Sequence, residues 1–266
     1  MLVIKIIGRE TKILEEYVGE CFVDVIYRHS YHRGQAIRIE TDKAPCFLVI
    51  QLDDVMTPAL IYLKDESYTF PVPFGEKKIS YNPKAFWGRL HRITAREAYE
   101  WEIQVKKNLC LNPYDIHENH ACYPHAIANV ETRNSSMFAA QNAINGNTFN
   151  CKHGLWPYES WGINRCPDAE ITIEFGREVI IDAIVLWTRA DFPHDNWWRQ
   201  GEFIFSDETT MTVTMEKTHL PHEFTLEPKV TTTLKLGKLI INESDQSPFP
   251  ALTQIETYGY ETHKGG

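Results

Sequence analysis

A group of histidine and cysteine residues near the middle of the chain has the residue types of a zinc site. The group comprises His117, His120, Cys122 and His125. A structural zinc site takes four such ligands, most often as two closely spaced pairs. The spacing H-x2-H-x-C-x2-H matches no compact zinc motif, and a second pair is missing. Residues 112–125 contain two prolines and no periodicity, so they are predicted to form a polar linker between domains.

The sequence contains none of the short motifs that mark common catalytic centres. GxSxG, HExxH, the P-loop and GxGxxG are all missing. Acid–base catalysis by two carboxylates needs groups that converge in a cleft with shifted pKa values. The pairs Glu100/Glu102 and Glu170/Glu174 instead fall on the polar faces of predicted strands, where carboxylates are solvated. The sequence therefore predicts a protein that is not an enzyme.

The composition indicates the class of protein. The chain has 266 residues, of which 43% are hydrophobic and 24% charged, as in ordinary globular proteins. No run of about 18 apolar residues is present, which argues against a transmembrane segment. The net charge of −9 argues against a nucleic-acid partner, which requires a basic surface. The N-terminus lacks the features of a signal peptide, which predicts a cytoplasmic protein unless the chain has been shortened.

The six cysteines form no CxxC pair. Free cysteine behaves as a small buried hydrophobe, and thiols in the cytosol stay reduced. Reduced structural thiols are therefore expected. Cys151 and Cys166 are the pair that could form a disulfide if the protein reaches an oxidising compartment.

The charges divide the chain into two parts. Residues 1–110 hold 16 basic and 15 acidic side chains, whereas the remainder holds 11 basic and 21 acidic ones. At about 150 residues per domain, two domains are expected. The predicted division is an N-terminal domain over residues 1–111, a linker over 112–125 and a second domain over 126–262.

Alternating apolar and polar residues predict strands in both parts. In the first part, residues 99–105 alternate and residues 47–52 form a continuous apolar run that suits a buried central strand. Residues 13–18 are the one hint of a helical turn there. In the second part, strands are predicted at 171–175, 180–187, 201–206, 210–215, 231–236, 238–242 and 254–258, with a short helix at 137–144. The pattern predicts an all-β protein with two antiparallel β-sandwiches.

Eight short motifs follow one another in the second part. They lie at residues 126–129, 142–147, 160–162, 171–176, 184–187, 189–191, 206–207 and 255–259. In order and spacing, residues 126–260 resemble the coagulation factor 5/8 type C domain. This discoidin-like, galactose-binding-like family overlaps a large group of bacterial carbohydrate-binding modules. The resemblance implies an eight-stranded antiparallel jelly roll. No family is recognised for residues 1–111.

The resemblance also implies a structural Ca²⁺ at the Asn-Gly turn, since calcium takes six to eight oxygen ligands. Asn145 would supply a side-chain oxygen, and Thr148 or Asn150 a further one. The other implied ligands are the backbone carbonyls of Asn142 and Asn147 and the carboxylate of Glu256. Asn145 stands where the family usually has Asp, which removes a negative charge. The alternative is an Asn-Gly turn with positive φ and no metal.

In sugar-binding members of the family, loops at one end of the domain present an aromatic platform surrounded by polar groups. Two loops here, residues 151–162 and 189–199, have that composition. The implied carbohydrate contacts are His153, Trp156, Arg189, Asp191, His194, Asp195, Trp197 and Trp198. The alternatives are scaffolding roles: Trp161 aligns with a core tryptophan, and Arg189 and Asp191 could pair with each other. One of Trp197 and Trp198 should point inward, because adjacent strand residues face opposite ways.

The resulting prediction is a non-catalytic protein that binds a glycan through the loops of the second domain. The alternatives are a module that binds a protein or a membrane surface, and a glycoside hydrolase component with carboxylates between the domains. No oligomeric state is predicted.

Overall fold

The computed structural model describes residues 1–262, and the fold is almost entirely β. The strands form three sheets in which every neighbouring pair is antiparallel. Two separate hydrophobic cores lie among them. The all-β prediction is confirmed. None of the helices in residues 1–262 has the length and apolar character needed to cross a bilayer.

The first unit is built from two sheets that enclose one core. Its strands are β1 (Leu2–Ile7), β2 (Ile13–Gly19), β3 (Phe22–Tyr27), β4 (Ala36–Thr41), β5 (Cys46–Gln51), β6 (Ala59–Leu63), β7 (Ser67–Pro71) and β8 (His91–Glu97). One sheet has the order β2-β1-β4-β7, and β6-β5-β8-β3 belong to the other. In β3 every second residue is buried, which is the pattern of a strand with one solvent-exposed face. As predicted, β5 is an inner strand, and Leu48 and Ile50 are fully buried.

The second unit is one eight-stranded sheet. Its longer strands are β11 (His125–Ala128), β13 (Ile171–Thr188), β14 (Trp198–Phe205), β15 (Thr210–Thr214), β16 (His222–Ile241) and β17 (Ala251–Glu261), joined by the two-residue strands β9 (Lys107–Asn108) and β12 (Trp161–Gly162). A further two-residue strand, β10 (Cys122–Tyr123), extends the first unit at β6. Trp161 is fully buried in the core of the second unit, as predicted.

A β-bulge in β13 lets one long strand face the core along most of its length. The register shifts between Ile181 and Ala183. Before the shift the buried side chains include Val179 and Ile181, and after it they include Ile184 and Leu186. Because side chains alternate between faces, one extra residue exchanges the inward and outward sets and bends the strand. The sequence pattern predicted two strands, at 171–175 and 180–187, where the structure has one.

Several predicted elements differ from the structure. Residues 13–18 are a strand, not a helical turn. The predicted strands 231–236 and 238–242 are replaced by the single strand β16, which ends at Ile241. The predicted helix at 137–144 is replaced by two 3-10 segments, Ser136–Phe138 and Ala140–Ile144.

The alternating segment 99–105 contains a short helix, α1 (Glu100–Gln104), and no strand. The carboxylate of Glu102 accepts the backbone N–H of Tyr99 at 2.8 Å, which caps the first turn. The same carboxylate forms a bidentate ion pair with Arg96 at 2.6 and 2.8 Å. Tyr99 and Trp101 are exposed and stack on each other, with ring centroids 4.4 Å apart. The alternation of apolar and polar residues at 99–105 therefore does not mark a strand with one buried face.

The segment 112–125 is largely buried between the units and is not an exposed linker. Tyr114 is fully buried in the first core, and β10 and β11 pair with strands of different units. The Nδ1 atom of His125 lies 2.7 Å from the buried carboxylate of Asp115. The Nε2 atom of His117 lies 2.8 Å from Glu131. His117 and His125 thus pair with different carboxylates.

Candidate functional site

A concave pocket of about 350 Å³ lies among the loops of the second unit. The loops that form it precede and follow β12, follow β13 and precede β17. They bring together side chains from distant parts of the chain, among them His153, Arg165, Arg189, His194 and Phe249. The pocket therefore exists only because the sheet places these loops side by side.

Three aromatic rings form a column in this pocket. The rings of His153 and His194 are nearly parallel, with centroids 4.0 Å apart. The ring of Phe249 stacks on His194 at 5.2 Å, tilted by only 8°. The guanidinium of Arg165 lies 4.7 Å from the centre of the Phe249 ring, in cation–π distance. The column combines apolar ring surface with polar edges.

Carboxylates fix the orientation of both imidazoles. The Nδ1 atom of His153 lies 2.5 Å from Asp191, and the Nδ1 atom of His194 lies 2.9 Å from Asp195. Each contact leaves the Nε2 atom of the ring to hydrogen-bond a ligand, as donor or acceptor according to its protonation. The sequence-predicted residues His153, Asp191 and His194 therefore do come together. Their ligating atoms lie within 4.8 Å of one another.

Asp195, a predicted carbohydrate contact, is a buried scaffold residue. Its side chain is fully buried and accepts hydrogen bonds from Arg189 at 2.6 to 3.0 Å. It also accepts the backbone N–H of Asp191 at 2.8 Å. Arg189 lines the pocket, but its guanidinium donates to Asp195 and to the carbonyl of Phe249. Buried charges need an opposite charge beside them, so Arg189 and Asp195 pair with each other and thereby hold their loop in place.

The predicted tryptophan platform is absent from this pocket. Trp198 is fully buried in the core of the second unit, and Trp197 is half-buried beside Lys217. Trp156 lines a different cavity. The aromatic surface of this pocket is formed by Phe249 and the two histidines. Sequence reasoning missed Phe249 and Arg165, although an aromatic residue between two prolines in a loop is a recognisable signal for the first.

The Asn-Gly turn carries a different set of contacts from the predicted calcium ligands. Gln254, not Glu256, reaches the turn, where its Oε1 atom accepts the N–H of Gly146 at 3.1 Å. Glu256 lies two residues further along β17 and accepts a hydrogen bond from Tyr258 at 3.0 Å. The carboxylate at the turn is that of Glu159, whose Oε1 atom accepts the side-chain amides of Asn145 at 2.9 Å and Asn147 at 3.0 Å.

This donor set does not fit Ca²⁺. Asn145 and Asn147 direct N–H groups at the carboxylate, where a calcium site would present oxygen atoms. Asn142 uses its side-chain amide to bind the carbonyl of Ser136 at 2.8 Å. Burial raises the pKa of Glu159, although the two amide hydrogen bonds oppose that shift. The two amides thus present hydrogen-bond donors, and no oxygen ligands, to the Oε1 atom of the carboxylate.

Comparison with known proteins gives structural likenesses only. No family model and no curated protein matches the sequence. Among solved structures, a chitosan-binding module 1 derived from a chitosanase/glucanase from Paenibacillus sp. IK-5 is 15% identical, with a TM-score of 0.40, over 57% of this chain and 99% of that one. A fucose binding module of Streptococcus pneumoniae, SpX-3, is 12% identical, with a TM-score of 0.42, over 58% of this chain and 99% of the module.

A family 32 carbohydrate-binding module from C. perfringens NanJ, in complex with galactose, is 18% identical, with a TM-score of 0.38, over 50% of this chain and 91% of the module. At these identities and TM-scores the likenesses carry no argument about what this chain binds.

Proposed function

We propose that the protein is a non-catalytic carbohydrate-binding protein and that its ligand pocket is the one lined by His153, Arg165, His194 and Phe249. The observation that supports this proposal is the ring column. A pyranose has an apolar C–H face that packs on an aromatic ring, and hydroxyl groups that need planar polar partners. The pocket offers both within one cavity, and charged donors such as Arg165 give the stronger hydrogen bonds.

The carboxylates of the pocket support a binding role over hydrolysis. Glycoside hydrolysis uses two carboxyl groups that flank the scissile bond. Asp195 is buried and paired with Arg189, and Asp191 is engaged by His153. Neither carboxylate of this loop is left free to act as a second acid or base.

A glycan array followed by calorimetric titration tests the proposal. The intact protein should bind at least one saccharide saturably. Phe249→Ala should weaken that binding about twofold to tenfold, since an aromatic contact contributes about 0.5–1.5 kcal/mol. Phe22→Ala is the matched control, because this phenylalanine is exposed on β3 and lies outside both cavities. Failure to bind any saccharide, or equal losses in both variants, would contradict the proposal.

A specific observation favours one alternative, a membrane-surface module. Phe149 and Leu155 are 60% and 58% exposed and flank Lys152 in the loop before β12. Exposed apolar side chains beside a basic residue suit an interfacial contact. Sedimentation with anionic vesicles distinguishes the two functions: vesicle binding that is lost in Phe149→Ser/Leu155→Ser, together with no response to sugars, would favour the alternative.

A further inference from the structure

A second cavity, of about 230 Å³, lies where the two units meet. Ser80 and Tyr81 of the first unit line it together with Asn145, Trp156 and Glu159 of the second. The loop that carries Trp156 is tied to the first unit, because its backbone N–H donates to the carbonyl of Ile79 at 2.9 Å. At about 30 Å³ per water molecule, the cavity has roughly the volume of eight waters. It therefore has room for a small organic molecule.

Two buried polar atoms in this cavity have no hydrogen-bond partner within residues 1–262. Glu159 is 2% exposed, and while its Oε1 atom accepts two amide hydrogen bonds, its Oε2 atom accepts none. Ser80 is 5% exposed, and its hydroxyl is also unpartnered. Buried polar groups are nearly always hydrogen-bonded, and an unmatched one destabilises the fold. Two such atoms, one from each unit, indicate a ligand that hydrogen-bonds to both.

The cavity also holds a carboxyl group with no cationic side chain beside it. Among residues 1–262, the lining of the cavity includes no lysine, arginine or histidine. The other acidic residue of the lining, Asp115, is matched by His125, by Asn119 and by the N–H of Ala126. Glu159 has only neutral amides beside it. A buried carboxylate is stabilised most by a cation.

We propose that this cavity binds a small hydroxylated primary amine, with the ammonium group on Glu159 and a hydroxyl group on Ser80. An ammonium group donates three hydrogen bonds and needs few oxygen acceptors, whereas a hard metal ion needs six or more oxygens. The amide N–H groups of Asn145 and Asn147 beside the carboxylate disfavour the metal. Trp156, which is 37% exposed, supplies an aromatic surface to a bound cation. This site is separate from the glycan pocket and does not depend on its function.

Calorimetric titration of the intact protein with 2-amino-1,3-propanediol and with glycerol, at about pH 6.5, tests the proposal. These probes differ only at the central carbon, which carries either an amine, protonated at that pH, or a hydroxyl group, and neither has the pyranose ring proposed for the glycan pocket. We expect the amine to bind at least about tenfold more tightly than glycerol. Glu159→Gln should abolish this preference, and Ser80→Ala should weaken binding of the amine. Asp207→Asn is the matched control, because Asp207 is an exposed carboxylate between β14 and β15 that lines neither pocket, and it should leave the preference unchanged.

The comparison of the two probes on the unaltered protein needs no variant, so it decides the matter even if Glu159→Gln does not fold. Equal binding of both probes, or binding of neither, would overturn the proposal. So would a preference that survives in Glu159→Gln or disappears in Asp207→Asn. Uptake of Ca²⁺ in a competing titration, with displacement of the amine, would instead assign the cavity to a metal ion and overturn the proposal. Loss of glycan binding at the other pocket would leave this result unaffected.

Discussion

At the scale of single residues, Asp195 connects the loop after β13 with the residues that face the pocket. It accepts hydrogen bonds from the guanidinium of Arg189, from the N–H of Asp191 and from the ring of His194. All of these bonds converge on a carboxylate with no exposed surface. A buried ion pair adds little net stability over apolar packing, but removing one partner leaves the other charge unmatched.

Asp195→Ala should therefore destabilise the protein by about 3–5 kcal/mol, as expected when one partner of a buried pair is lost. Urea denaturation of the variant and of the unaltered protein measures the difference. Asp191→Ala is the control, because Asp191 is partly exposed and its pairing with His153 therefore contributes less stability. A loss below about 1 kcal/mol in Asp195→Ala would show that the pair does not support the loop.

Glu159 gives a prediction on pH. Its pKa is raised above the ordinary value of 4.5, chiefly by burial. Its protonated form is therefore favoured by folding, and stability from this group is present at low pH and lost as pH rises from about 4.5 through the folded pKa. In ligand-free protein, Glu159→Gln should be less destabilising, relative to the unaltered protein, at about pH 7 than at about pH 4. Urea denaturation at both values checks this, and a difference of opposite sign would show that the pKa is lowered instead.

At the scale of elements, the Asn-Gly turn is held by side-chain amides and by its own backbone. Gly146 has φ +87°, and a Cβ atom there would lie 2.7 Å from Leu111. The side chain of Gln254 in β17 accepts the backbone N–H of the same residue. Together with the bonds from Asn145 and Asn147 to Glu159, this hydrogen bond holds the turn through protein groups.

Removal of divalent ions with EDTA should therefore leave the melting temperature unchanged, and addition of Ca²⁺ should not raise it. Glu256→Gln should be equally neutral, because Glu256 has no contact with the turn among the hydrogen bonds of residues 1–262. Gly146→Ala is the positive control and should lower stability by about 1–2 kcal/mol, the cost of a left-handed backbone with a Cβ atom. Differential scanning fluorimetry measures all four. A drop in melting temperature on chelation would restore the calcium site that the resemblance implied.

At the scale of the whole molecule, the segment 112–125 couples the two units. Tyr114 and Cys122 belong to the core of the first unit, while His125 begins β11, a strand in the sheet of the second unit. The carboxylate of Asp115 binds both the ring of His125 and the N–H of Ala126. The two cores are separate, but the segment that joins them is mostly buried.

We therefore expect the intact protein to unfold in one calorimetric transition. Asp115→Ala should remove the buried anchor of His125, lower the stability by about 3–5 kcal/mol and separate the transition into two. Glu131→Ala is the matched control, because it removes the acidic partner of the exposed His117. It also removes the acceptor of the backbone N–H of Ala140. Two transitions in the unaltered protein would show that the units unfold independently.

The sequence by itself determined the strand content and the two loops that carry His153, Asp191 and His194. These features depend on local pattern, since alternation marks a strand face and clustered polar and aromatic residues mark a loop. The helix α1 was missed because its cap, Glu102, and its ion pair with Arg96 are contacts that alternation does not encode.

Only the tertiary structure decided which side chains meet. In the folded chain Asp195 and Trp198 are buried in the interior, and Phe249 lies beside His194. It also replaced Glu256 by Glu159 at the Asn-Gly turn. Each outcome depends on the path of a loop or on the register of β17, and a shift of one or two residues along a strand changes which side chain faces a site. Residue types are local properties of the sequence, whereas their convergence is a property of the folded chain.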